Sequence, residues 1–378
     1  MKIRTITTGF NLEMPLSEKQ IKQITDFTKR VQSEYTKQGY EVQTLRIVTQ
    51  PWEEYVSSPS QIKKWVQDFE QLSQSHGIHY FNIGTTCNAE NIPLIYDLIQ
   101  LTSTGFCTVM VADQQRTDYV AARKTAELIK KLASVDKDGF TNLRFAAVFN
   151  TEAGSPFFPA AFHQGPVSFG IGTENSDLVR QAFSKAENIQ DAQQWLVRIL
   201  ETEFKKIENI ARDISDKEGI SYNGIDVSIA PSVDEKQSIA YAFEKLGLGR
   251  FGEVGTLAVA KCVTDSLSCL DIKKCGYSGL MLPVLEDFGL AVRNKEKKFN
   301  ITDILLYSAV CGTGLDTIPL PGDVSTDKLF ALLLDIASLS NKLDKPLSAR
   351  LMPVPHKKSG EMTSFSFDYF ANTDIMEI

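Results

Sequence analysis

Short apolar runs alternate with longer amphipathic ones along the whole chain. Residues 3–8, 42–49, 78–84, 106–112 and 143–149 are rich in β-branched or aromatic side chains and bounded by polar or glycine positions, which predicts five strands. The second half repeats the alternation, with strands expected at 167–171, 225–230, 279–283 and 315–318 and a last extended stretch at 347–354. Helical periodicity fills the gaps. In TDYVAARKTAELIKKLA, Ala121, Leu128, Ile129 and Leu132 share one face, with Arg123, Lys124, Lys130 and Lys131 largely elsewhere, so that face is expected to pack on a sheet. Ser325 is placed to cap a helix through Leu329, Leu332, Leu333 and Ile336, and residues 189–218 predict one long, charged, largely exposed helix. Repeated βα order predicts an α/β protein with a parallel sheet, either open and doubly wound or closed into a barrel.

The polar residues inside these apolar runs carry the candidate chemistry. In GIDVSIAP, Ile225, Val227 and Ile229 share one phase and Asp226 and Ser228 the other, so Asp226 faces whatever the sheet encloses, or solvent if the strand lies at an edge. Arg4 and Asn150 occupy the polar phases of their strands in the same way and are expected to point inward. Beyond Asn150, the Pro- and Gly-dense stretch to Asn175 holds His163 among Phe157, Phe158 and Phe162. This apolar setting would favour the neutral imidazole, as a base or a metal ligand. Carboxylates near other strand ends are its candidate partners. Glu286 and Asp287 follow Pro283, and Asp316 stands beside two glycines; either member of the Glu286-Asp287 pair can equally open a helix. His163, Asp226, Asp287 and Asp316 are thus the candidate catalytic residues. Arg4, Asn150, Ser278, Glu286 and Thr313 are the candidate substrate-binding ones, and a divalent metal held by such acids is possible.

Other motifs are weak. GIGTEN does not complete GxGxxG, and no GxxxxGK[ST], HExxH or GxSxG occurs. Cys311, between apolar residues and Gly312, fits an inert buried thiol better than a nucleophile.

Composition narrows the class. The 378 residues are 43% hydrophobic and 23% charged, the balance of an ordinary globular protein, and suit two domains or one large barrel. No linker or composition break divides them, so one α/β domain over 1–378 is expected, its sheet open or closed, with 216–223 the best place for a hinge. The net charge of −7 offers no footprint for nucleic acid or anionic lipid. Six cysteines without CxxC spacing, and no leader-like or membrane-length apolar run, predict a reduced, cytoplasmic protein.

Five segments together resemble one family: IRTITTGF at 3–10, SPFFPAAFH at 155–163, DVSIAPS at 226–232, GYSGLMLPVLEDFGLA at 276–291 and CGTGLDTIPLP at 311–321. It is the uncharacterised family catalogued as domain of unknown function seven hundred and eleven, with a pyruvate formate-lyase-like barrel. The resemblance is collinear over nearly the whole chain. It implies a closed barrel of about ten strands in two half-barrels, like that of glycyl radical enzymes, with helices outside, and a homodimer. It does not bring radical chemistry. The C-terminal RLMPVPHKKSGEMTSFSF lacks an RVxG-type loop, and Gly360 is read as a turn residue. The functional expectation is a cytoplasmic enzyme acting on a small polar metabolite in the barrel, by His/carboxylate acid–base or metal-assisted chemistry. The alternative is a non-catalytic small-molecule sensor using the same pocket, separated by bound metal and pH-dependent activity.

Overall fold

Helices surround one ten-stranded sheet in the computed structural model, which describes residues 1–56, 59–114, 116–310 and 312–378. The strands are β1 (Lys2–Phe10), β2 (Val42–Thr49), β3 (Tyr80–Thr86), β4 (Gly105–Asp113), β5 (Arg116–Thr117), β6 (Phe145–Phe149), β7 (Ser168–Glu174), β8 (Ser221–Asp226), β9 (Gly314–Pro321) and β10 (Leu347–Val354). Their order is β8-β7-β1-β2-β3-β4-β6-β10-β9, with the short β5 on β4. The five central strands are mutually parallel. At one flank β7 and β8 run antiparallel to them, and at the other β9 and β10 do the same.

The sheet is not closed by a continuous ladder, so of the expected barrel the structure shows the ten-stranded α/β sheet and its surrounding helices. Its two ends are β8 and β9, and the segment expected as a strand at 279–283 makes isolated contacts there instead. Ile229 N donates to Gly279 O at 3.0 Å, Met281 N to Ile229 O at 3.3 Å, and Val284 N to Asp316 O at 3.3 Å. Pro231, Pro283, Pro319 and Pro321 lack the N–H that a continuous ladder needs here.

Two bulges matter for the site. Ile3 and Thr5 pair with the adjacent Thr173 and Gly172 of β7, leaving Arg4 as the extra residue of β1. On the other flank Ala349 pairs with Leu315 and Leu351 with Ile318, so Arg350 of β10 stands opposite both Asp316 and Thr317. Thr317 takes φ 44°, a left-handed conformation that a β-branched side chain rarely adopts. Bulges re-aim side chains, and these two turn Arg4, Asp316 and Arg350 toward the same hollow.

The helices cover the other face of the sheet, where Thr8 of β1 shares a hydrogen bond with Thr28 of the helix Glu18–Lys37. Their ends follow the sequence signals. Ser325 accepts from Lys328 N, Asn188 opens Ile189–Glu218, and Gly219 closes that helix in the left-handed region. One continuous apolar core runs from Ile3 to Met376, and Ala121, Leu128, Ile129 and Leu132 are buried in it as expected. A smaller cluster of Leu285, Met352, Val354, Phe365, Phe370 and Ile375 fixes the C-terminal segment over the sheet's edge. Among the described residues, no helix is long and apolar enough to cross a membrane.

Candidate functional site

The concave face of the sheet is filled by the chain itself. After β6, residues 151–163 turn back on themselves, with Gly154 N donating to Phe162 O at 2.9 Å. This inner loop is tied to strand after strand. Thr7 of β1 donates to Pro156 O at 2.7 Å, Asn82 of β3 to Pro159 O at 2.5 Å, and His163 N to Thr49 O of β2 at 3.0 Å. The Phe157 ring lies against Gly172 of β7, where a Cβ would come within 2.9 Å of it. Glycine at 172 therefore makes room for the loop. Phe157 and Phe158, both buried, form the floor of a cavity of about 260 Å³.

Arginines dominate its walls. Arg4, Arg46, Arg144 and Arg350 line the cavity, against the carboxylates of Glu286 and Asp316. Arg350 grips Asp316 in two places, Nε to Oδ1 at 2.6 Å and Nη2 to Oδ2 at 3.0 Å, and its Nη2 also reaches Glu286 Oε1 at 2.6 Å. Arg4 Nη2 donates to the other Glu286 oxygen at 2.9 Å, and its Nη1 lies 3.7 Å from Glu174. Burial works against the Arg350 charge, but Asp316 and Glu286 overcome this and raise its pKa. Burial likewise pushes the Asp316 carboxyl up; Arg350 pulls it down and Glu286 adds to the rise. Arg144 spends its guanidinium on the carbonyls of Ile99, Thr102 and Gly105, at the C-terminal end of the helix Leu94–Gln100.

Arg46 differs from the others. Its Nε donates to Thr44 Oγ1 at 3.1 Å, and its guanidinium sits 5.1 Å from the Phe158 ring centre and 5.7 Å from that of Tyr80. Among the described residues no carboxylate pairs with it. Burial, then repulsion from Arg4, push Arg46 down to about 9, so it remains charged at neutral pH but is held at a cost.

The residues expected from the sequence divide into two groups. Arg4, Glu286 and Asp316 meet in the cavity. Thr313 lines a smaller adjoining hollow. Asn150 does not face inward: at φ 49° its Nδ2 donates to Ser340 and Asn341 of the outer helix Thr326–Leu343, because the chain has already turned off the strand. Asp226 is buried, yet its oxygens accept from Ser228, Tyr277 N and Ser278 N, binding β8 to the next segment. Ser278 belongs to that same tie, its Oγ donating to Cys275 O. Asp287 caps the helix Phe288–Lys295 through Leu290 N and also accepts from Ser238 Oγ and Ile239 N. Burial outweighs these bonds and brings its pKa to about 6.

His163 stands at the opposite end of β1. Its Nε2 bonds Gly165 O at 2.8 Å, and Gly9 is so close that a Cβ there would lie 2.4 Å from Nδ1. Arg4 and Gly9 are separated by about 17 Å of strand. His163 does not line the cavity, and among the described residues no carboxylate hydrogen-bonds it. Burial lowers its pKa, with the Gly165 carbonyl opposing. Cys311 lies outside the described residues. Among them, no three His, Cys, Asp or Glu residues converge as a cation site, and the Glu286 and Asp316 oxygens are already taken by arginines, an arrangement that does not fit a metal.

Arg46 and Arg350 escaped the sequence reading. Each is the one charged residue of its strand, VQTLRIVT and LSARLMPV, and the phase test applied to Asp226 would have found both.

The fold and site thus define a mixed α/β protein with a buried arginine–carboxylate cavity floored by an inner loop. The chain belongs to the family described as Uncharacterised ACR (DUF711), whose profile matches residues 1–366. The UPF0210 protein of Thermoanaerobacter sp. (strain X514) is 30% identical to it over 253 residues, 64% of this chain and 54% of the relative. That of Pyrobaculum aerophilum is 30% identical over 273 residues, 68% and 58% respectively. That of Methanopyrus kandleri is 28% identical over 278 residues, 71% and 61%. The chain therefore spans under two thirds of the length of these curated relatives.

Proposed function

We propose that the protein is an enzyme that binds a small anionic metabolite in this cavity, with Arg46 as the anchor for the anion. The observation that carries this is a half-buried guanidinium without a carboxylate partner, held between two aromatic rings beside Arg4 and Arg350. A carboxylate or phosphate placed on it would relieve the repulsion and form charge-assisted hydrogen bonds. The proton chemistry is assigned to Asp316 and Glu286, since a carboxyl raised by burial next to a second carboxylate is a poised acid–base pair. His163 has a structural role in this reading. A barrel closed through residues 279–284 belongs to it too, supported by their hydrogen bonds to Ile229, just beyond β8, and to Asp316 of β9. The cytoplasmic setting is supported by the five free cysteines among the described residues.

A specific observation favours a binding protein without turnover as the second reading: both cavity carboxylates are engaged by arginines. Calorimetric titration with butyrate, succinate and inorganic phosphate tests the common core of both. At least one is expected to bind, and Arg46→Met to weaken it about tenfold or more, as for loss of a charged hydrogen-bond partner. Binding by none of them, or equal binding by the variant, would overturn the proposal. Pro-tonation-dependent turnover of a bound compound, abolished in Asp316→Asn, would separate the enzyme from the sensor.

A further inference from the structure

Beside the main cavity lies a second hollow of about 30 Å³, lined by Ala146, Pro159, Ala160, Tyr277, Thr313 and Ser348 together with Phe157, Phe158, Met281, Asp316 and Arg350, which it shares with the cavity. Its size suits one group no larger than a water molecule. Thr313 is buried, its carbonyl accepts from Ser348 Oγ, and its Oγ1 has no hydrogen-bond partner among the described residues. A buried hydroxyl left unpaired is unfavourable, and a ligand group that pairs with it would gain accordingly.

The charge around this hollow selects a neutral group. Arg350 opposes an ammonium, and Asp316 opposes a second carboxylate. We infer that the ligand is a carboxylic acid bearing a terminal hydroxyl, its carboxylate on Arg46 and its hydroxyl in the small hollow against Thr313. This rests on the anion-binding reading above and adds the chemistry of the ligand's other end. Phe157, Phe158 and Met281 line both spaces, together with the Asp316–Arg350 pair whose charges are already joined to each other, so the connecting chain is apolar.

The test is calorimetric titration of the whole protein with butyrate, hexanoate and octanoate, each against its ω-hydroxy counterpart. At one of these lengths the hydroxy acid is expected to bind about tenfold more tightly than the parent acid, a gain of one good hydrogen bond. The advantage should vanish in Thr313→Val and return in Thr313→Ser, which also controls for folding. No advantage at any length, or one that survives in Thr313→Val, would overturn the inference. If the plain acids still bind and lose affinity in Arg46→Met, only the inference fails; if no acid binds through Arg46, the anion-binding reading fails with it.

Discussion

Asp316 and Arg350 form a pair whose worth lies in what happens when it is broken. Removing one charge of a buried pair is costly, here leaving Arg350 to Glu286, whereas removing both is far milder. Asp316→Asn is therefore expected to lower unfolding free energy by about 3 kcal/mol in urea titration, and Asp316→Asn with Arg350→Met to recover most of that. His163 makes a different contribution. Burial holds its folded pKa below the ordinary 6.5, so the neutral ring contributes stability that is full above 6.5 and lost as pH falls through the folded value. Stability measured between pH 7.5 and 5 should decline less steeply in His163→Gln than in the wild type; equal slopes would show that the imidazole titrates freely. Arg4 and Asp226 illustrate what strand phase can and cannot tell. Both lie in polar phases and both turn away from solvent, but only the hydrogen-bond partners reveal that Asp226 is consumed by its own backbone neighbourhood.

Elements were legible in proportion to how local their signals are. The long helix Ile189–Glu218 matches its expected span, and the strands expected in the first half lie where their apolar runs do. What failed was the strand at 279–283, whose apolar pattern is genuine but whose prolines interrupt pairing, the span of the one at 225–230, which lies at Ser221–Asp226 instead, and the assumption that all strand ends share one rim. The reversal of β7 to β10 relative to β1 sends His163 away from Glu286, and no short-range signal records that reversal. The bulges at Arg4 and Thr317 were equally invisible, because register is a property of two strands. The inner loop offers a direct test of its own placement. Gly172→Ala would put a methyl group against both Phe157 and Thr5, each about 2.9 Å from the new carbon. Overpacking of this kind should cost about 1–3 kcal/mol and weaken anion binding through the displaced floor, read by urea unfolding and titration.

At the scale of the whole molecule, the sequence conveyed class and family far better than closure or assembly. The link between the two ends of the sheet is a few isolated hydrogen bonds from residues 279–284, and the homodimer expected from the family resemblance depends on surfaces no single chain reveals. We expect light scattering at micromolar concentration to give twice the mass of one chain; the mass of one chain would remove the dimer from consideration. The inner loop has one more implication. Because the floor of the cavity is made by two phenylalanines on a connection, and not by the strands, the depth available to a ligand can change while every strand register stays fixed. Loops tolerate substitution more readily than sheets. A smaller side chain at 157 or 158 would widen the passage between the two hollows, and a bulkier one would narrow it. The frame can then stay as it is while the loop alone sets how much space the cavity holds.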